Sequence, residues 1–191
     1  GLDIGNYNGS WDKLFGKSIK VLRKFSQFLL ITDGDTSILD SLKGKVKVFV
    51  QRCLWHIPYQ AKYVLWQDGV KHKSAEWLQV MSELMEICAI RPLVDCEKTI
   101  KKMIESKRKR LESVIQYCLS KGYPHTASYL ENAMPDMFTA IEKRLKGKTT
   151  SKVERVMRTI NMRVNVSKWS IAGALNVTKI RLAYYYNGFD A

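Results

Sequence analysis

Two short apolar runs, Phe28–Thr32 and residues 45–53, flank a turn and a segment just long enough for one short helix. This arrangement constrains the fold more than any other feature of the chain. The first run is continuous and reads as a buried strand that ends at Asp33-Gly34-Asp35. The second sets Lys45 and Lys47 against Val46, Val48 and Val50, the two-residue alternation of a strand. Residues 36–42 between them are expected to form a helix closed by Gly44. Upstream, residues 11–25 place Trp11, Leu14, Phe15, Ile19 and Leu22 at helical spacing, with Ser10 as N-cap. Leu2-Asp3-Ile4-Gly5 reads as the tail of an earlier strand. Strands and helices in this order predict an α/β fold with a parallel or mixed sheet.

After His56 the pattern changes to long amphipathic stretches. Residues 74–90 put Trp77, Leu78, Met81, Leu84, Met85 and Cys88 on one face. Residues 95–119 do the same with Ile100, Met103, Ile104, Leu111, Val114, Ile115 and Cys118. Residues 126–145 continue with Leu130, Ala133, Met134, Met137, Phe138 and Ile141, interrupted by Pro135. Such stripes are the core faces of packed helices. Gly147-Lys148-Thr149-Thr150 breaks the pattern and a helix resumes over 151–164. Residues 170–186 predict a last helix bearing Tyr184, Tyr185 and Tyr186.

Charge narrows the class of partner. A formal net charge of +14 fits a nucleic acid or an anionic surface better than a small neutral substrate. The cations gather at residues 101–110 and 143–168. Lys107 to Arg110 fit a solvated helix face. The second cluster is the better site for phosphates, contacts that position nucleic acid without reading its sequence. Cys53, Cys88, Cys96 and Cys118 are scattered through a chain long enough to bury a core, and read as reduced thiols. No apolar run is long enough to span a bilayer, so no membrane is expected as partner.

Asp33 is the first candidate for chemistry, because open α/β sheets place their sites at the carboxyl ends of strands. A hard cation such as Mg²⁺ takes oxygen ligands, so one or two carboxylates with substrate phosphates suffice to hold it. Asp33-Gly34-Asp35 suits a plain turn equally well, since aspartates bond nearby backbone amides. Glu154 is the second candidate. Ser151-Lys152-Val153-Glu154 matches a capping box, yet Glu154 opens a helix with Arg155, Arg158 and Arg163, and Lys148 and Lys152 come just before it. Phosphates and metal ions meet in such a setting. Cys53 and His56 form half of a zinc pattern, and with no second close pair zinc is not expected.

Taken in order, these residues resemble the Mutator-like superfamily of DDE transposases, in its bacterial and archaeal insertion-sequence branch. The resemblance is carried by Trp11, Thr32-Asp33-Gly34, Gln51-Arg52-Cys53-Leu54-Trp55-His56, the helical stretch, and Thr149-Thr150-Ser151-Lys152-Val153-Glu154-Arg155. It covers most of the chain. It implies a partial ribonuclease-H-like core over residues 1–58 and a large all-helical insertion over 59–147. Residues 148–191 would supply a core helix with the catalytic Glu and a terminal helix.

The implied activity is metal-dependent phosphodiester cleavage and strand transfer in DNA transposition, with three carboxylates and two Mg²⁺ (or Mn²⁺) ions. Asp33 would be the second carboxylate and Glu154 the third, each catalytic and metal-binding. Cys53 and His56 would be a signature beside the site, while Lys148, Lys152, Arg155, Arg158 and Arg163 would hold DNA. The partners implied are transposon ends and target DNA, with a homo-oligomer acting when the protein is full length, in the prokaryotic cytoplasm at the nucleoid. Asp3 falls on a later strand than the family's first Asp. The chain is therefore expected to be the carboxyl-terminal part of a catalytic domain, without that acid. The other reading is a nucleic-acid-binding protein without catalysis, or an inactive transposase relic.

Overall fold

The computed structural model describes residues 10–25, 27–35, 37–90, 96–145, 155–158 and 170–187. Among them the chain is mostly helical, with a two-stranded parallel sheet and a large helical part. Two compact units emerge, one drawn from Gly1–Phe28, Asp35–Val48 and Thr150–Ala191, the other from Leu29–Gly34 and Phe49–Thr149.

In the first unit, α1 (Ser10–Leu22) packs on the short helix α2 (Ser37–Leu42). α1 stops before Phe25 because the N–H groups of Lys24 and Phe25 turn back to Val21 and Leu22, at 3.1 Å each, the tightening common at helix ends. α2 starts where Asp35 Oδ1 accepts from the Ser37 N–H at 2.9 Å and from its hydroxyl at 2.6 Å. The turn that closes it contains Gly44, whose φ of +72° suits a residue without a Cβ. Lys45 belongs to this turn. Its Nζ pairs with Asp12 at 2.9 Å and its carbonyl accepts from Arg23 Nε at 3.3 Å. The strand expected over 45–53 is therefore shorter and begins at Val48.

The sheet pairs β1 (Phe28–Thr32) with β2 (Val48–Arg52). The strands are half-buried rather than buried throughout, with only Thr32 and Gln51 fully covered. Both are edge strands among the described residues, which explains the exposure. The further strand expected at Leu2-Asp3-Ile4-Gly5 lies outside the described residues.

The helical part of the second unit is α3 (His56–Gln67), α4 (Ala75–Cys88), α5 (Glu97–Ser120) and α6 (Pro124–Ala133). Each packs on the next, and α6 returns to α3. Ile57, Ala61 and Leu65 of α3 meet Leu84 and Ile87 of α4, Leu111 and Cys118 of α5, and Leu130 of α6 in one apolar core. α3 has no counterpart among the helices expected from sequence. Its buried stripe repeats every four residues, but Tyr59, Tyr63 and Trp66 interleave it and Pro58 disguises it. Pro58 falls in the first turn, where a missing N–H leaves no bond unmade.

Residues 126–145, expected as one interrupted helix, divide at Pro135 into α6, a 3₁₀ turn over Met134–Asp136 and α7 (Thr139–Glu142). Ser74 caps α4 by accepting from the Trp77 N–H at 3.2 Å. α6 is capped from a distance. Asp68, just past α3, accepts from the N–H groups of His125 at 3.0 Å and Thr126 at 2.8 Å, and from the Thr126 hydroxyl at 2.7 Å. A carboxylate there also meets the positive end of the helix dipole.

The basic run on α5 is only partly a solvated face, because several of its cations also reach partners on neighbouring helices. Lys107 Nζ donates to the Glu86 carbonyl at 2.6 Å, and Arg108 pairs with Glu142 at 2.8 Å. Arg110 bridges Glu83 and Glu86 at 2.7 Å each. These cations fasten α5 to α4 and α7 at the protein's edge, while Lys109 is exposed.

In the first unit, α8 (Ile171–Asn187) begins at Ser170, whose Oγ accepts from the Gly173 N–H at 3.1 Å. Tyr184 and Tyr185 on it are exposed. Among the described residues no helix is long and apolar enough to cross a membrane.

Candidate functional site

The carboxyl ends of the two parallel strands bring Asp33, Arg52 and Cys53 together, with His56 opening α3 just beyond. The Cys53 N–H donates to the Thr32 carbonyl at 2.8 Å, which ties the two strand ends. Asp33 is exposed, and its Oδ1 accepts from the Thr32 hydroxyl at 3.4 Å. That same hydroxyl accepts from the Gly34 N–H at 3.2 Å. The carboxylate is thus held by its own turn and faces water.

Arg52 explains the glycine. Its Nη1 donates to the Asp33 carbonyl at 3.2 Å and its Nη2 to the Asn132 carbonyl of α6 at 3.0 Å. A Cβ on Gly34 would overlap Arg52 Nη1, and Gly34 has φ of +119°. Only glycine combines that conformation with that close approach. The sequence shows Arg52 within the motif but not its task. The available signal was a cation at one strand end opposite an Asp-Gly pair at the other.

Gln51, one residue earlier, is fully buried. Its Nε2 donates to the carbonyls of Met137 and Arg52 at 2.6 Å each, and its Oε1 accepts from the Ala140 N–H at 2.8 Å. These partners fix the amide's orientation, because the Ala140 N–H can only donate. Gln51 therefore anchors β2 to the turn and helix after α6, a structural task.

Behind Arg52 lies a poorly solvated group of side chains. Burial pushes the Tyr129 phenol up to about 12; Arg52 opposes this, and Cys88, Asp33 and Cys53 add to it. Burial likewise pushes the Cys88 thiol up to about 12, with Lys107 opposing. Burial raises the Asp136 carboxyl, again against the pull of Arg52. Tyr129 Oη and Arg52 Nε are buried without a hydrogen-bond partner among the described residues. Cys88 is held as a neutral thiol near neutral pH, unsuited to nucleophilic attack.

Cys53 is fully buried at the end of β2. The His56 ring stands edge-on to Trp55, centroids 4.8 Å apart, and the His56 backbone N–H donates to the Cys53 carbonyl at 3.0 Å. The pair lies at the turn between β2 and α3, which the Cys53 N–H ties to Thr32. Trp55, Tyr59, Tyr63 and Trp66 then line the exposed side of α3, a feature sequence reasoning missed along with the helix. Their spacing of four, four and three residues was the signal.

An exposed carboxylate at a strand end suits a hard cation, and Asp33 alone of the expected ligands is among the described residues. No group of three His, Cys, Asp or Glu able to hold a metal occurs among those residues. Arg155 and Arg158 lie exposed on a helical turn at 155–158. Glu154, Lys148, Lys152 and Arg163 lie outside the described residues. No family model, curated protein or solved structure matches the chain.

Proposed function

We propose that this chain is the carboxyl-terminal part of a DDE-type DNA transposase catalytic domain, built on a partial ribonuclease-H-like core. The observation that carries this reading is the exposed Asp33 at the end of β1, with Cys53 just past the end of the parallel neighbour β2 and His56 opening α3. The net charge of +14 supports a polyanionic substrate. Asp33 and Glu154 are the proposed ligands for Mg²⁺ or Mn²⁺, which when bound would stabilise charge at the attacked phosphodiester. Arg52 positions the Asp33-Gly34 turn so that the carboxylate faces solvent. Lys148, Lys152, Arg155, Arg158 and Arg163 are the proposed DNA phosphate contacts.

The test is Mg²⁺-dependent cleavage of end-labelled DNA by a longer protein that carries this chain. Asp33→Ala is expected to abolish cleavage while leaving the helical circular dichroism intact. Unchanged cleavage refutes the assignment. A nucleic-acid-binding protein without catalysis is the second reading, favoured by the net charge alone. It predicts steeply salt-dependent binding that ignores Asp33 and Glu154.

A further inference from the structure

α3 turns a ladder of aromatic rings to solvent. Trp55 just before the helix, and Tyr59, Tyr63 and Trp66 on it, are 48%, 38%, 48% and 74% exposed. The Trp55 and Tyr59 rings stack with centroids 4.8 Å apart and planes 17° from parallel. Tyr63 meets Tyr59 edge-on at 5.6 Å, and its hydroxyl donates to the Tyr59 hydroxyl at 3.3 Å. Lys62 Nζ sits 3.9 Å from the Tyr59 centroid and 4.7 Å from that of Tyr63. The other side of the helix, Ile57, Ala61 and Leu65, is fully buried. Core packing therefore does not account for the ladder, and a row of exposed large rings along one side of a helix marks a binding surface.

Charge identifies what the surface fits. Residues 49–73 contain Arg52, Lys62, Lys71 and Lys73, and a single carboxylate, Asp68. That carboxylate is occupied in capping α6. Rings interleaved with cations suit a strand whose bases are free to stack and whose phosphates meet lysine. A duplex keeps its bases in its own stack and offers the rings nothing.

We propose that this face of α3 binds an unpaired nucleic-acid strand, with bases stacking on Trp66 and the Tyr63 end of the ladder and phosphate against Lys62. The proposal rests on the nucleic-acid reading above for the class of partner, and adds the form of the strand and the residues that hold it. It requires nothing of Asp33.

The experiment measures fluorescence anisotropy of labelled oligo-dT, roughly 16 nucleotides long, and of a duplex of equal length, with the whole chain. Trp66→Ala and Tyr63→Ala are each expected to weaken oligo-dT binding about tenfold and to leave duplex binding within about twofold. Tyr63→Phe keeps the ring and should keep the affinity. Lys62→Gln should lower the salt slope for oligo-dT by about 0.7.

Oligo-dT affinity that ignores both alanine variants overturns the proposal, as does an equal loss for single strand and duplex. Concentration-dependent self-association that Trp66→Ala abolishes, with oligo-dT binding unchanged, also overturns it and assigns the ladder to a second copy. Asp33→Ala separates this proposal from the transposase reading, since it should leave oligo-dT affinity unchanged whether or not it abolishes cleavage.

Discussion

Replacing Gln51 by Leu keeps the side chain's approximate size while removing its three hydrogen bonds. The Ala140 N–H and the Met137 carbonyl, on two fully buried residues, then lose the partner that β2 supplied. Each orphaned buried group costs about 1–3 kcal/mol, and the larger apolar area of leucine returns about 1–2 kcal/mol. The expected net loss is about 3 kcal/mol. At a urea dependence of about 2 kcal/mol per molar, the unfolding midpoint followed by far-UV circular dichroism should fall by about 1.5 M.

Gln51→Glu adds a sign to the test. The acid still accepts from Ala140, but when ionised it sets a carboxylate oxygen against the Met137 carbonyl. Burial and that repulsion favour the protonated form, so the folded-state value rises above the unfolded one. Stability relative to the native chain should then be lost as pH rises from about 4 to about 8. A Gln51→Leu midpoint within about 0.3 M of the native one, or a Gln51→Glu variant indifferent to pH, would refute the anchoring role.

Gly34→Ala should destabilise by about 1–3 kcal/mol, mainly through the positive φ, with a smaller part from displacing the Arg52 guanidinium. In an Arg52→Ala background the cost should shrink by about 1 kcal/mol, and strict additivity in urea melts would remove Arg52 from the explanation. Asp68→Ala should cost about 1–2 kcal/mol by uncapping α6, and hydrogen exchange should show the first turn of α6 opening. Cys96 is exposed, and the Thr99 backbone bond lowers its thiol, so iodoacetamide should label it first at about pH 8, read by mass spectrometry. Burial raises the thiols of Cys88 and Cys118 to about 12 and about 11; fully buried Cys118 should stay protected until unfolding, and half-buried Cys88 should react more slowly than Cys96. Their native state holds protons that the unfolded chain releases, so stability should fall as pH rises above about 9.

Local features were legible wherever their cause was local. The stripes of α4 and α5 repeat over many turns, and Ser74 announces the start of α4 by itself. α8 and β1 were found for the same reason. The break at Pro135 was visible as an interruption, and the separate α7 beyond it was not. α3 escaped because its core positions are one small residue and two aliphatics set among aromatics, and aromatics are usually taken for core. Its Trp and Tyr residues face water, so their apolar character pointed away from the true inner face.

Asp33 as a strand-end carboxylate came from the chain alone, because an apolar run, an Asp-Gly turn and a second run specify the local geometry. The tasks of its neighbours did not. Gln51 reaches Met137 and Ala140, 86 and 89 residues on, and Arg52 reaches Asn132, 80 residues on. Lys107, Arg108 and Arg110 looked like a solvated run until their partners on α4 and α7 came alongside. Sequence by itself determined which segments coil, which extend and where a carboxylate meets a turn, since those follow from neighbours within a few residues. Only the tertiary structure decided which polar groups hold the fold together and which rings remain open, because hydrogen bonding and burial depend on segments that are distant in the chain.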